Sequence, residues 1–147
     1  MKVVLVTGGR DFFNMNRVRT TLDGISPDFL IEGGCPTGAD THARNWADDH
    51  GVHHAIVTAL WSSSLGKGAG PARNSVMVMM CKALEKMGAE VIVVAFPGGR
   101  GTASCVSIAT DNELFVRKVE DAWPLQSRFD CLFNIRNIRI VQRASAI

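Results

Sequence analysis

The sequence has little charge bias: 16 Lys and Arg face 14 Asp and Glu, a formal net charge of +2. That is too small to imply a nucleic-acid partner by itself, so any anion-binding argument must rest on local features. Cysteine is scarce, at Cys35, Cys81, Cys105 and Cys131. No two are spaced as CxxC, and no His stands at zinc-like spacing from any of them. A disulfide framework is not expected, and a reducing cytoplasm is the simpler setting. His42, His50, His53 and His54 form no metal pattern, and neither a metal nor a cofactor is called for. Long apolar runs are lacking. The longest, Val91 to Phe96, cannot span a membrane. The first, Val3 to Val6, is too short for a secretory signal and leads into a Gly-Gly turn. A cytoplasmic chain with no membrane association is the expectation. There is no internal repeat and no low-complexity linker.

Two standard nucleotide fingerprints are also missing. No GxxxxGK[ST] occurs, which excludes a Walker-type loop. No GxGxxG occurs either, since the nearest approach, Gly99 to Ser104, lacks the third glycine.

What is present is a chain of 147 residues, 46% apolar and 20% charged. That suits one globular domain that buries a core without staples. Lys2 to Val6 is a β-branched run stopped by Gly8-Gly9, which reads as a strand buried on both faces. Met15, Val18, Leu22 and Ile25 follow at helical spacing, with Asn14 or Asn16 as cap and Gly24 near the end. Phe29 to Ile31 reads as a second strand, ending in Glu32-Gly33-Gly34. Ala39, Ala43, Trp46 and Ala47 make a second helical stripe, stopped by Gly51. His53 to Val57 is a third strand, and residues 58–70 are loop. Pro71 suits the first turn of a third helix. Its expected core face is Ala72, Val76, Met79 or Met80, Ala83 and Met87, and Gly88 ends it. Met77, Met79 and Met80 read as core or dimer contact. Val91 to Phe96 is a fourth strand, Ala103 to Asn112 a fourth helix, and Leu114 to Val119 a fifth strand. This alternation predicts an α/β, Rossmann-like, doubly wound and mostly parallel sheet with helices on both faces. Residues 1–119 form the expected domain and 120–147 an extension. In that extension Arg136, Arg139 and Arg143 alternate with Ile135, Ile138 and Ile140. It reads as a solvated final strand, an oligomer arm or a basic strip.

Three strand-to-helix junctions are rich in glycine: Thr7-Gly8-Gly9-Arg10-Asp11, Gly33 to Asp40 with Gly38 inside it, and Pro97-Gly98-Gly99-Arg100-Gly101-Thr102. A parallel sheet places all three at its carboxyl edge, where open α/β sheets bind ligands. Glycine lets the backbone approach a ligand. The free N–H groups and dipole of the following helix favour an anion. Arg10, Arg73 and Arg100 can add charge-assisted bonds to phosphate. A tight turn is the plain alternative for any one Gly-Gly pair. Asp40 reads as a helix cap or a ligand contact, Asp11 as a turn residue, an ion pair with Arg10 or a site acid, and Glu32 as a further candidate acid. Trp61 reads as a base-stacking ring or as packing over the sheet edge. Cys105 reads as a nucleophile at a helix start or a small buried residue.

The ordered strings Val6-Thr-Gly-Gly-Arg-Asp-Phe12, Gly38-Ala-Asp40, Trp46-Ala47, Ala59 to Trp61, Ala69-Gly-Pro-Ala-Arg-Asn74 and Phe96-Pro-Gly-Gly-Arg-Gly-Thr102 resemble the YspA-like branch of the SLOG superfamily. The resemblance runs from about residue 2 to 119. That superfamily is related to the Lonely Guy (LOG) proteins and to the Rossmann-like domain of the DNA-processing protein DprA. Its members are common in bacteria and their phages and are inferred to bind nucleotides or nucleotide-derived signals. The resemblance implies a phosphate-binding site drawn from Thr7, Gly8, Gly9, Arg10, Gly38, Asp40, Arg73, Asn74 and the run from Pro97 to Thr102, and a homo-oligomer. Arg73, Asn74 and Met77 match the LOG motif RKxxM in part. The LOG hydrolases, which cut the N-glycosidic bond of a nucleoside monophosphate, carry PGGxGTxxE. Here the glutamate position is Cys105, and a neutral thiol cannot serve as that acid.

Three readings therefore stand. The first is a nucleotide sensor or a protein that sequesters a signal, such as a host defence signal in a phage. The second is a LOG-like phosphoribohydrolase with a substituted acid, for which Arg73, Asp11 and Asp40 are the catalytic candidates. The third is a DNA-binding module like that of DprA, against which the near-neutral charge speaks.

Overall fold

The computed structural model describes residues 1–121; the arginine-isoleucine segment expected of the extension lies outside them. The chain runs β1 (Lys2–Thr7), α1 (Met15–Ile25), β2 (Phe29–Glu32), α2 (Ala39–His50), β3 (His53–Ile56), a single 3-10 turn (Gly66–Gly68), α3 (Ala69–Lys86), β4 (Glu90–Ala95), α4 (Arg100–Asp111) and β5 (Val116–Lys118). The strands form one five-stranded sheet in the order β3-β2-β1-β4-β5. Every pairing is parallel.

The core follows from the pleat of β1. Successive side chains point to opposite faces, and all of Val3 to Val6 are fully buried. Val4 and Val6 pack with Val18, Leu22 and Trp46 of α1 and α2. Val3 and Leu5 pack with Met77, Val78 and Cys81 of α3 and with Cys105 and Ala109 of α4. Two helices thus cover each face, the doubly wound architecture expected from the alternation. Each such aliphatic side chain adds roughly 1.5–3 kcal/mol by leaving water.

Helix ends follow their local chemistry. Asn14, rather than Asn16, caps α1, its side chain accepting from the Arg17 N–H at 3.0 Å. Ser26, not Gly24, turns left-handed at its end, with φ 53°. Gly51, at φ 64°, closes α2 as its position suggests.

Two expectations need correction. The first concerns α3, which buries Ala69, Gly70, Asn74, Met77, Val78 and Cys81. Val76, Met79, Ala83 and Met87, expected in the core, are exposed; Met80 packs partly against it. The helix is apolar on most sides, so several stripes satisfy helical spacing. The sheet selected the one with small residues at its start. The second concerns α4, which begins at Arg100 rather than Ala103. Half of the PGGRGT string is therefore the first helical turn.

Chain order sets the ligand crevice. The first three strands grow outward from β1 in one direction, and the chain then returns to place β4 on the other side of β1. The helices after β1 and β4 therefore leave on opposite faces, and a crevice opens between the two carboxyl ends.

Candidate functional site

At that crevice the two strand ends are tied together. The Phe96 N–H donates to the Thr7 carbonyl at 2.8 Å, and the Gly9 N–H to the Pro97 carbonyl at 2.9 Å. Above them lies a cleft of about 350 Å³. From the first junction it takes Thr7, Gly8, Gly9, Arg10 and Asp11, and from the last Gly99, Arg100, Gly101 and Thr102. Between them stand Asp40 of α2 and Arg73 and Asn74 of α3. Most of the residues singled out from sequence thus line one cavity.

Gly38, Pro97 and Gly98 are not among the lining residues. Gly38 has φ 76°, and a Cβ there would run into the Gly9 carbonyl oxygen. A Cβ on Gly98 would collide with the Thr102 hydroxyl and stand 2.6 Å from the Gly9 nitrogen. These glycines let one loop pack on another. A Cβ on Gly8 would lie 2.5 Å from that of Ala39, so Gly8 has this duty as well as its place in the wall.

Gly99 and Gly101 differ, because an added Cβ would meet nothing within 4 Å at either. Gly99 is the cap residue of α4, and no side chain caps that helix. The amides of Arg100, Gly101 and Thr102 precede the first intrahelical donor and lack a helical acceptor. They carry the positive end of the α4 dipole in the wall of the cleft. Arg10 and Arg100 are exposed, and neither takes part in an ion pair among the described residues. Asp11 is likewise without an ion pair there, so it is not the partner of Arg10.

Arg73 is held in place. Its Nε–H donates to Asn74 Oδ1 at 3.0 Å, and Nη1 donates to the Gly33 carbonyl. Asn74, 3% exposed, in turn donates from Nδ2 to the Gly101 carbonyl at 3.1 Å. This chain links α3 to the first turn of α4. Nη2 of Arg73 retains its two donors for another acceptor. Gly33 makes room for this side chain, since a Cβ there would strike the guanidinium.

The two carboxyl groups behind the cleft differ in kind. Glu32 is fully buried. Its Oε1 accepts from Arg44 Nε at 2.9 Å, and its Oε2 from the Gly34 N–H at 2.6 Å. It is a structural ion, fully engaged. Asp40 is 7% exposed and forms no ion pair among the described residues. It does not cap α2, whose cap residue is Gly38. Its Oδ2 accepts instead from the Cys35 N–H at 3.2 Å. Burial pushes its carboxyl up to about 6, and the nearby Glu32 charge adds to that, while the Cys35 and Gly33 amides and Arg73 hold it back.

Cys105 is fully buried on the inner side of α4, and burial pushes its thiol up. It lines no part of the cleft. Trp46 lies in the core, as expected. His50 stacks on Trp46 at 4.4 Å between ring centroids. Val6, Gly33, Cys35 and Met77 also line the cleft; Gly33 and Cys35 belong to a junction named from sequence and Met77 to the partial LOG match, but none was in the expected ligand-binding set. Sequence reasoning also missed the Glu32–Arg44 pair, whose spacing corresponds to no local rule.

The fold and cleft define an α/β, Rossmann-like protein with an anion-suited crevice at the point where strand order reverses. The model of the YspA, cpYpsA-related SLOG family matches residues 2–63. Over that stretch, from β1 past β3, the chain is similar to that family; the match is shorter than the resemblance through residue 119 suggested. A solved structure, "The structure of the molybdenum cofactor binding protein from the phototrophic bacterium Rippkaea orientalis", is similar in fold, with a TM-score of 0.56 and 20% identity. The alignment covers 99% of this chain and 98% of that one. No curated protein sequence matches the chain. Among the described residues, no helix is long and apolar enough to cross a membrane.

Proposed function

We propose that the chain binds a nucleotide or nucleotide-derived ligand in this cleft, with a phosphate against the first turn of α4. The observation that carries the reading is the uncapped α4 start, with three amides that are free, beside Arg10 and Arg100 that are unpaired, among the described residues. Anions favour such a helix end, and Arg73 offers its remaining donors across the cleft. A sensor or sequestering protein needs no more than this. The test is a thermal-shift screen against nucleoside mono-, di- and triphosphates, NAD, ADP-ribose and cyclic nucleotides, with product analysis of each hit. The molybdenum cofactor for which the structural neighbour is named joins the panel. A ligand at about 100 times its Kd adds roughly 2.7 kcal/mol of stability. A hit recovered unchanged supports binding alone, and no hit at all overturns the small-ligand reading.

A second reading has its own observation, the buried Asp40 near pH 6 in the same cleft as Arg73. A carboxyl poised there suits proton transfer at neutral pH. In a phosphoribohydrolase it would take a proton from the water that attacks the anomeric carbon, as the bond to the base breaks and the base leaves with its electron pair. Free base released from a nucleoside monophosphate, and lost on Asp40→Asn, supports this reading; its absence across the common nucleotides removes it.

A further inference from the structure

Beside the cleft lies a second cavity, of about 660 Å³. Its volume falls within the roughly 300–1,000 Å³ typical of small-molecule sites. The loop after β2, through Pro36 and Thr37, forms one side, and the loop after β3, from Thr58 to Trp61, forms the other. Arg10, Gly33, Cys35 and Arg73 line both cavities. The two spaces therefore adjoin along these residues.

The second cavity differs in chemistry from the first. Among the described residues no carboxylate lines it, and it contains an indole, two threonines, a proline and an alanine besides the shared residues. The indole is the informative member. Trp46 is 3% exposed, and its ring N–H donates to Asp23 at 2.7 Å. Trp61 is 60% exposed, and its ring N–H donates to no described residue. Its ring rests on the start of α3, where a Cβ on Gly70 would lie 3.0 Å from Cη2. Gly70 thus gives the indole a seat at the cavity wall, in place of a site in the core. An open aromatic wall supports stacking of a flat ring.

We infer that this cavity is a ring subsite. A heteroaromatic ring stacks on Trp61, while the phosphate of the same ligand lies at the α4 start, with Arg10 and Arg73 at the junction. The Thr58 hydroxyl supplies a polar contact at the ring edge, and the Thr37 oxygen, whose proton goes to the Arg10 carbonyl at 2.7 Å, is left as an acceptor there. The inference rests on the phosphate reading above and gives the ligand a second recognised part.

The test titrates the wild-type chain, Trp61→Ala and Trp61→Phe calorimetrically with the four common nucleoside 5′-monophosphates and with ribose 5-phosphate. The expected result is that Trp61→Ala weakens the tightest monophosphate by roughly ten-fold or more and leaves ribose 5-phosphate unchanged. Trp61→Phe retains most of the affinity. If a monophosphate binds Trp61→Ala as tightly as wild type, or if both probes weaken equally, the ring subsite is overturned and the phosphate reading survives. If the wild type binds none of the probes, both fall. Trp61 is exposed, so unfolding temperatures close to wild type are expected for both variants.

Discussion

The glycines around the cleft look alike in sequence and do opposite things. Gly8, Gly9 and Gly38 on the β1 and α2 side, and Gly98 ahead of α4, are hemmed in by neighbouring backbone and side chains. The Gly9 N–H and carbonyl are both engaged, the carbonyl accepting from Ala39 and Phe12 at 3.2 Å. On the α4 side, Gly99 and Gly101 have open space where a side chain would be, and the amides that follow Gly99 have no helical partner. One set of glycines lets the protein pack against itself. The other leaves room beside unsatisfied donors. Only the second arrangement points outward to a ligand.

Substitutions can break this comparison. Gly38→Ala should have the largest effect, since it combines a positive φ with a Cβ driven into the Gly9 carbonyl. A loss of about 3 kcal/mol is expected, read as a fall in unfolding temperature on the order of 10 °C. An unchanged unfolding temperature would show that the packed side of the cleft is not packed. Arg44→Ala should follow closely, at about 3 kcal/mol by denaturant titration, because it strands the buried Glu32 charge beneath the same loop.

Asp40→Asn should act in the other direction. The folded Asp40 carboxyl titrates near 6, against an ordinary value of 3.8. The folded protein therefore holds that proton more tightly than the unfolded chain. Its stabilising contribution is complete below pH 3.8 and is lost as pH rises through about 6. Well above that pH, the asparagine variant should be more stable than wild type by on the order of 2 kcal/mol. Denaturant titrations across this window should show a slope in the wild type and a flatter line in the variant. The smallest effect belongs to Gly101→Ala, in the first turn of α4. Stability should change by less than about 1 kcal/mol, in the favourable direction, while affinity for the best monophosphate falls. A loss of stability as large as that of Gly38→Ala would erase the distinction between the two kinds of glycine.

Much of this architecture can be read in the sequence because the signals are periodic. The run Lys2 to Val6, the stripe from Val18 to Ile25 and the stop at Gly51 each mark an element that the fold contains. The carboxyl-edge site is legible for a related reason: once the sheet is parallel, glycine-rich strand ends must meet. What could not be read depends on choices made in three dimensions. The α3 helix offers several apolar stripes, and only the sheet decides that Met77 faces in while Val76 and Met79 face out. Asp40 stands where a cap is expected, yet Gly38 takes the cap position and the carboxylate turns to the Cys35 amide. Glu32 gives no sign in sequence of meeting Arg44, because their contact depends on how α2 lies over the end of β2. The two kinds of glycine are likewise indistinguishable until the backbones around them are in place.

The central position of β1 has a consequence for how the chain reaches this state. Lys2 lies opposite Glu90, and the pairing continues through Thr7 and Ala95. During synthesis β1 and β2 emerge long before β4 exists. Until β4 arrives, β1 presents an open hydrogen-bonding edge, and Val3 and Leu5 lack the cover of α4, which follows β4 in the chain. Parallel pairings of this range close slowly, since a long loop must be ordered before any contact rewards it. An uncovered valine-rich strand edge is also a template for pairing with other chains. Assembly of the cleft therefore coincides with the end of this vulnerable interval, because the strand that covers β1 is the one that brings the open glycines of α4 to the site.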